Sequence, residues 1–176
     1  MATTKWAIDP AHSEIGFKVK HMMFTNVSGK FEKFEADIDT EDDDFSNAKI
    51  NFSADTDSVT TGSADRDKHL KTPDFFDTAN YPKLTFAATG MTQKTGGDFE
   101  LTGNLTINAT TKPVTLQAEF GGIMKDPWGN ARAVFTLSGK INRKEWGLNW
   151  NTVLEAGGVL VSDEVRLQID VQLIKQ

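Results

Sequence analysis

Hydrophobic alternation of period two is the feature that most restricts what this chain can become. At its C-terminal end Val165, Leu167, Ile169, Val171 and Leu173 are separated by Arg166, Gln168, Asp170 and Gln172, the pattern of a strand with one dry and one wet face. It recurs at Ile15, Phe17, Val19; at Ile50, Phe52, Ala54; at Leu84, Phe86, Ala88; at Phe99, Leu101, Leu105, Ile107; and at Val114, Leu116, Ala118, Phe120, with a further strand through Phe135 and Leu137. Turn-forming residues at 95–98, 110–113 and 126–130 punctuate these runs. About eight strands joined by short turns predict an all-β fold, an antiparallel meander closed into a barrel or folded into a sandwich. One helix is expected over 64–71, N-capped by Ser63, with Asp65 and Asp67 at its positive end, Lys71 at its negative end and Pro73 as the stop. No repeat of solenoid length and no linker divides the chain, so residues 1–176 read as one domain.

Composition narrows the function classes. The chain holds 12 Phe and 4 Trp against one Tyr, so most of its rings can be fully dehydrated without a hydroxyl partner. With no Cys there is neither a thiolate nucleophile nor a Cys-ligated metal centre. A formal charge of −6 argues against non-specific adhesion to nucleic acid or to anionic membranes, both of which require a basic face. No run approaches a membrane-spanning helix, and Met1-Ala2-Thr3-Thr4-Lys5-Trp6 has no apolar signal core. A cytoplasmic location is the expectation, or a periplasmic one if a leader has been removed.

The candidates for chemistry are few. The acid run from Asp37 to Asp44 starts like a calcium loop but has Asp42 at its sixth position and Ala48 at its twelfth, so it reads as a solvated hairpin loop. His12, His21 and His69 lack metal-ligand spacing, and neither an HExxH motif nor a Gly-x-Ser-x-Gly elbow occurs. Neither metal nor cofactor is assigned. Gly96-Gly97 and Gly157-Gly158 belong to turns, since neither pair opens a helix.

More informative is the stretch 72–82 after the helix, where Phe75 and Phe76 lie in a polar, proline-bounded loop. Phe17, Met22, Met23 and Phe24 make the same demand for a dry place. Either these rings plug a core, or they line or gate an apolar cavity, for which an eight-stranded barrel has room. Arg66, Lys68 and His69 would then stand near its mouth.

The ordered motifs resemble the YceI-like, polyisoprenoid-binding family. They are Asp9-x-x-His12-Ser13-x-x-x-Phe17-x-x-x-His21-Met22 with Val27-Ser28-Gly29-x-Phe31; Arg66-Asp67-x-His69-Leu70 through Asp74-Phe75-Phe76-Asp77 to Tyr81-Pro82; Gly103-Asn104-Leu105-Thr106-Ile107 leading to Thr111-Lys112-Pro113-Val114; and Asn142-Arg143-x-x-Trp146-Gly147-x-x-Trp150. The resemblance implies an extended lipocalin-like antiparallel barrel around an elongated apolar channel. It also implies non-catalytic binding, transport or storage of a long-chain isoprenoid or similar lipid, often as a homodimer and without cofactor. Asn108-Ala109 stands where Gly-Val is common, a departure confined to a turn. On this reading Phe17, Met22, Phe24, Phe52, Leu70, Phe75, Phe76, Phe86 and Trp146 form the apolar channel, and His12, Arg66 and His69 its polar rim. The alternative is an enzyme that modifies a bound isoprenoid with the His12, Arg66 and His69 groups.

Overall fold

The computed structural model describes residues 2–22, 24–151 and 160–176; Met23 and Gly157-Gly158 lie outside the described residues. Among the described residues eleven strands form one antiparallel sheet: β1 (Thr3–Ile8), β2 (Glu14–His21), β3 (Thr25–Phe31), β4 (Phe34–Glu41), β5 (Asp44–Asp55), β6 (Val59–Thr60), β7 (Lys83–Gln93), β8 (Phe99–Ile107), β9 (Thr110–Lys125), β10 (Ala131–Asn142) and β11 (Val161–Lys175). Helix α1 (Ala64–Leu70) lies between β6 and β7, and the Ser63 hydroxyl accepts from the Arg66 amide at its start. Among the described residues no helix is long and apolar enough to cross a membrane.

The ring closes through β11. Its neighbour on one side is β10 along most of its length; on the other side its end pairs with β1, Trp6 opposite Lys175, and its beginning with β2, Val19 opposite Val165. The order β1-β4-β5-β7-β8-β9-β10-β11 therefore returns to β1 as a closed barrel, which leaves these eight strands without a free edge at the β1–β11 seam. Beyond β1 the wall is continued by the β2–β3 hairpin, which pairs with the beginning of β11 through β2 and is extended by the short β6.

Two local expectations are corrected. The acid run is not a loop: Asp37, Asp39 and Glu41 belong to β4, and only residues 42–43 turn into β5. Likewise residues 110–113 open strand β9, and the turn before it is Asn108-Ala109. Pro113 is tolerated because it faces Asn104 of β8 while pairing with β10 begins only at Gln117.

At the end of the barrel carrying the β4–β5, β7–β8 and β9–β10 turns, rings fill the interior. Phe45 packs on Trp6 at 5.1 Å, on Phe135 at 4.9 Å and on Phe120 at 5.8 Å, and Phe99 joins Phe120 at 5.8 Å. Trp6 satisfies its indole N–H on the Thr40 hydroxyl, 2.9 Å away. This end is closed.

Candidate functional site: an apolar cavity open at one end

Above that aromatic floor the barrel is hollow, with a cavity of about 620 Å³. Period two builds its wall: Val165, Leu167, Ile169, Val171 and Leu173 of β11 all face it, and so do Leu101, Leu105 and Ile107 of β8 and Ile38, Ile50 and Leu84. Phe45, Phe135 and Met91 reach it from the floor. Two glycines let rings lie flat on the wall. A Cβ at Gly29 would run into the Phe17 ring, and one at Gly103 into the Phe86 ring, so both phenyl groups occupy the space a side chain would take on the neighbouring strand.

Polar lining groups collect at the opposite end. Lys20 and His21 finish β2, Arg66 and His69 sit on α1 with Thr61, Ser63 and Asp65 beside them, and Arg143 follows β10. Arg66 is fixed by its Nε donating to the Thr61 hydroxyl (2.7 Å) and Nη2 to the Thr61 carbonyl (2.8 Å); the same hydroxyl donates to Asp67 (2.6 Å). His69 Nε2 meets Asp74 at 2.9 Å, while its ring stands edge-on to Trp150 (4.6 Å) and Phe75 (5.1 Å). Phe76 tilts against Phe31 at 5.5 Å. Arg143 is buried, and its guanidinium donates to the main-chain carbonyls of Ser162, Leu148, Trp150 and Val161. Burial pushes its pKa down from the ordinary arginine value, against the attraction of Asp163. A cation held by four carbonyls ties the start of β11 to the segment after β10, and so frames the mouth.

Of the residues singled out from sequence, Phe17, Phe52, Leu70, Phe75, Phe76 and Phe86 line the cavity, with Arg66 and His69 at its mouth. Four do not. Phe24 is 90% exposed and Met22 51% exposed at the tip of the β2–β3 hairpin, because β2 ends at His21 and the turn carries both side chains past the wall. Trp146 is buried behind the wall, where its indole N–H donates to the Leu105 carbonyl at 2.9 Å. His12 belongs to a short 3-10 turn (Pro10–His12) at the plugged end and meets Asp9 at 2.7 Å. Asp9 shares Arg132 with Gln172, and from Gln172 back to Val161 at the mouth is roughly 35 Å of strand at about 3.3 Å per residue. His12, Arg66 and His69 are therefore not one constellation.

Sequence reasoning missed Phe31, Phe45, Arg143, Trp150 and Leu160 on the wall. Phe31 was within reach, since it faces the same side as Phe17 through the β2–β3 register. The Arg143 environment is made of main-chain carbonyls, which leave no trace in residue types. Among the described residues no group of His and carboxylates is placed to hold a metal ion.

The chain matches the model of the YceI-like domain over residues 6–173. It is 35% identical over 166 residues to a UPF0312 protein of Staphylococcus epidermidis, covering 94% of both chains. To protein YceI of Escherichia coli it is 38% identical over 165 residues, 94% of this chain and 83% of that one. Among solved structures, the Campylobacter jejuni YceI protein superimposes with a TM-score of 0.77 at 32% identity over 96% of each chain. A polyisoprenoid binding domain from Saccharophagus degradans shares the fold, with a TM-score of 0.73 at 15% identity, over 97% of this chain and 98% of that one.

Proposed function

Since the chain belongs to the YceI-like family, whose fold is that of a binding domain, we propose that it holds one long-chain isoprenoid or similar lipid, tail first, for transport or storage without chemical change. One observation carries this reading. The cavity wall is hydrocarbon from the Phe45 floor upward, and its polar groups are gathered at a single end. A ligand that suits such a space has a long apolar tail and one polar end. The polyisoprenoid-binding character of the Saccharophagus degradans domain supports the same ligand class.

Magnitudes divide the labour between tail and rim. Burying chain is worth about 0.8 kcal/mol per CH₂, so a five-carbon isoprene unit offers roughly 3–4 kcal/mol before ordering costs. An exposed ion pair at the mouth contributes about 0–1 kcal/mol. The tail supplies affinity, and Arg66 and His69 select the head. An enzyme using His12 together with Arg66 and His69 finds no support, because His12 stands at the plugged end.

The test is native mass spectrometry before and after solvent extraction, then reloading with a defined polyprenol. We expect an unmodified long-chain lipid in the intact protein, and retention weakened about tenfold or more by Phe75→Ala or Phe76→Ser but only a few-fold by Arg66→Ala. A protein that comes empty and refuses polyprenol would show that the cavity is not a lipid site. A released lipid chemically altered relative to the one loaded would replace the carrier with an enzyme.

A further inference from the structure

We propose that the β2–β3 hairpin is a docking element for the surface of an anionic phospholipid bilayer, placing the cavity mouth against the lipid that supplies or receives its occupant. That purpose rests on the cavity reading above; the docking geometry does not. Net charge conceals this surface. In a chain with 25 acidic and 19 basic residues, the stretch from Ile15 to Phe31 carries Lys18, Lys20 and Lys30 and no Asp or Glu. Register places the three lysines on one face: Lys18 is opposite Ser28, Lys20 opposite Asn26, and Lys30 opposite Gly16. Lys30 reaches Glu14 at 3.9 Å, whereas among the described residues Lys18 and Lys20 have no carboxylate within ion-pair distance. Arg166 lies beside Lys18 on β11 but is paired with Glu164 at 3.5 Å, so the unpaired charge of this face rests on Lys18 and Lys20.

The other face of the same hairpin is cavity wall, through Phe17, Val19, His21, Val27 and Phe31, and Lys20, nearest the tip, also borders the mouth. At the tip the two faces meet in exposed hydrocarbon. Phe24 is 90% exposed and Met22 51%, and the Met22 amide donates to the Leu160 carbonyl (2.7 Å), which anchors the tip beside the mouth. An exposed aromatic tip rimmed by lysines suits an interface in which rings enter the acyl boundary and ammonium groups meet lipid phosphates. The carboxylates that border this face, Glu14 and Glu164, are held by Lys30 and Arg166, and screening over about 8 Å leaves the more distant acidic residues little influence there. A two-fold contact with a second copy through this face would instead set the lysine row against itself.

Co-sedimentation of the full chain with vesicles tests this, using phosphatidylcholine alone and phosphatidylcholine with about 30% phosphatidylglycerol. The expected result is binding to the anionic vesicles only, weakened by salt, and reduced about tenfold by Phe24→Ser and by Lys18→Glu. Polyprenol loading from detergent should be unchanged in both variants, which separates docking from cavity function. Wild type that loads polyprenol yet stays off anionic vesicles, or equal sedimentation of Phe24→Ser, overturns the docking proposal and leaves the cavity reading intact. So does a Phe24→Ser variant that turns a dimer into a monomer without changing vesicle binding. Hairpin-dependent sedimentation by a protein that refuses polyprenol upholds docking and removes the carrier.

Discussion

Gly103 sets the orientation of Phe86, and with it part of the cavity's width. In β8 the inward positions are Leu101, Gly103, Leu105 and Ile107, and the missing side chain of the second leaves a trough where the Phe86 ring of β7 lies. A Cβ there would strike that ring and stand 2.7 Å from the Ala87 carbonyl oxygen. Gly103→Ala should therefore cost about 1–3 kcal/mol, the usual range for overpacking a filled site, which for a chain of this length lowers the melting temperature by roughly 2–4 °C per kcal/mol. Gly90→Ala is the control: nothing lies within 4 Å of the added carbon, and stability should hold or rise slightly. Equal melting of both variants would mean that Phe86 swings freely into the lumen. The inward facing of Phe86 was legible from alternation, whereas the use of Gly103 was not, because a glycine's role depends on what lies across the next strand.

At the scale of elements, sequence patterning located β2, β5, β7 to β11 and α1, but it was blind to β4. Phe34, Ala36, Ile38 and Thr40 alternate there with Glu35, Asp37, Asp39 and Glu41. A barrel wall needs only one dry face, so the wet face can be wholly acidic and mimic a solvated loop. Asp39 on that face meets Lys5 of β1 at 3.3 Å. The β8–β9 turn holds a second lesson. Asn108 has φ of 54°, the left-handed region in which Asn and Gly are favoured, and its Nδ2 donates to the Phe75 carbonyl at 2.8 Å. A departure that concerned only a turn on the sequence thus also tethers the loop that places Phe75 on the cavity wall. Asn108→Ala, losing both bond and backbone fit, should destabilise by about 1–2 kcal/mol in urea unfolding. Asn108→Gly keeps the backbone fit, and should show faster amide exchange across residues 72–78 with a smaller loss of global stability. Unchanged exchange in the glycine variant would show that the loop is held without Asn108.

For the molecule as a whole, closure is the weakest part of the ring, because β1 meets β11 at only Trp6, Ala7 and Ile8. A charged cluster spans that seam from outside. Arg132, at the start of β10, reaches past Gln172 of β11 to Asp9 just after β1 at 2.6 Å, and turns its Nε to Asp126 at 2.7 Å. The two carboxylates are 12% and 6% exposed. Hydrogen bonds from Arg132, foremost, hold both below the ordinary value of 3.8, against the opposing effect of burial; His12 and the Ala11 amide add to this at Asp9, and the Asn130 and Trp128 amides at Asp126. The hydrogen bonds to Asp9 and then Asp126 raise Arg132 further above its ordinary value, so it stays charged throughout the accessible range. For a carboxylate whose folded pKa is depressed, the linked stability is complete above its unfolded pKa and is lost as pH falls through the folded one. The staple should thus hold at neutral pH and weaken on the acid side of about 4. Urea midpoints measured from about pH 6 down to about pH 2.5 should fall more steeply below about pH 4 for the wild-type chain than for Arg132→Gln, whose carboxylates no longer have the cation that lowers them. Parallel acid limbs would place the closure in the β1–β11 ladder and the aromatic floor alone, with the Asp9, Arg132 and Asp126 cluster contributing nothing to it.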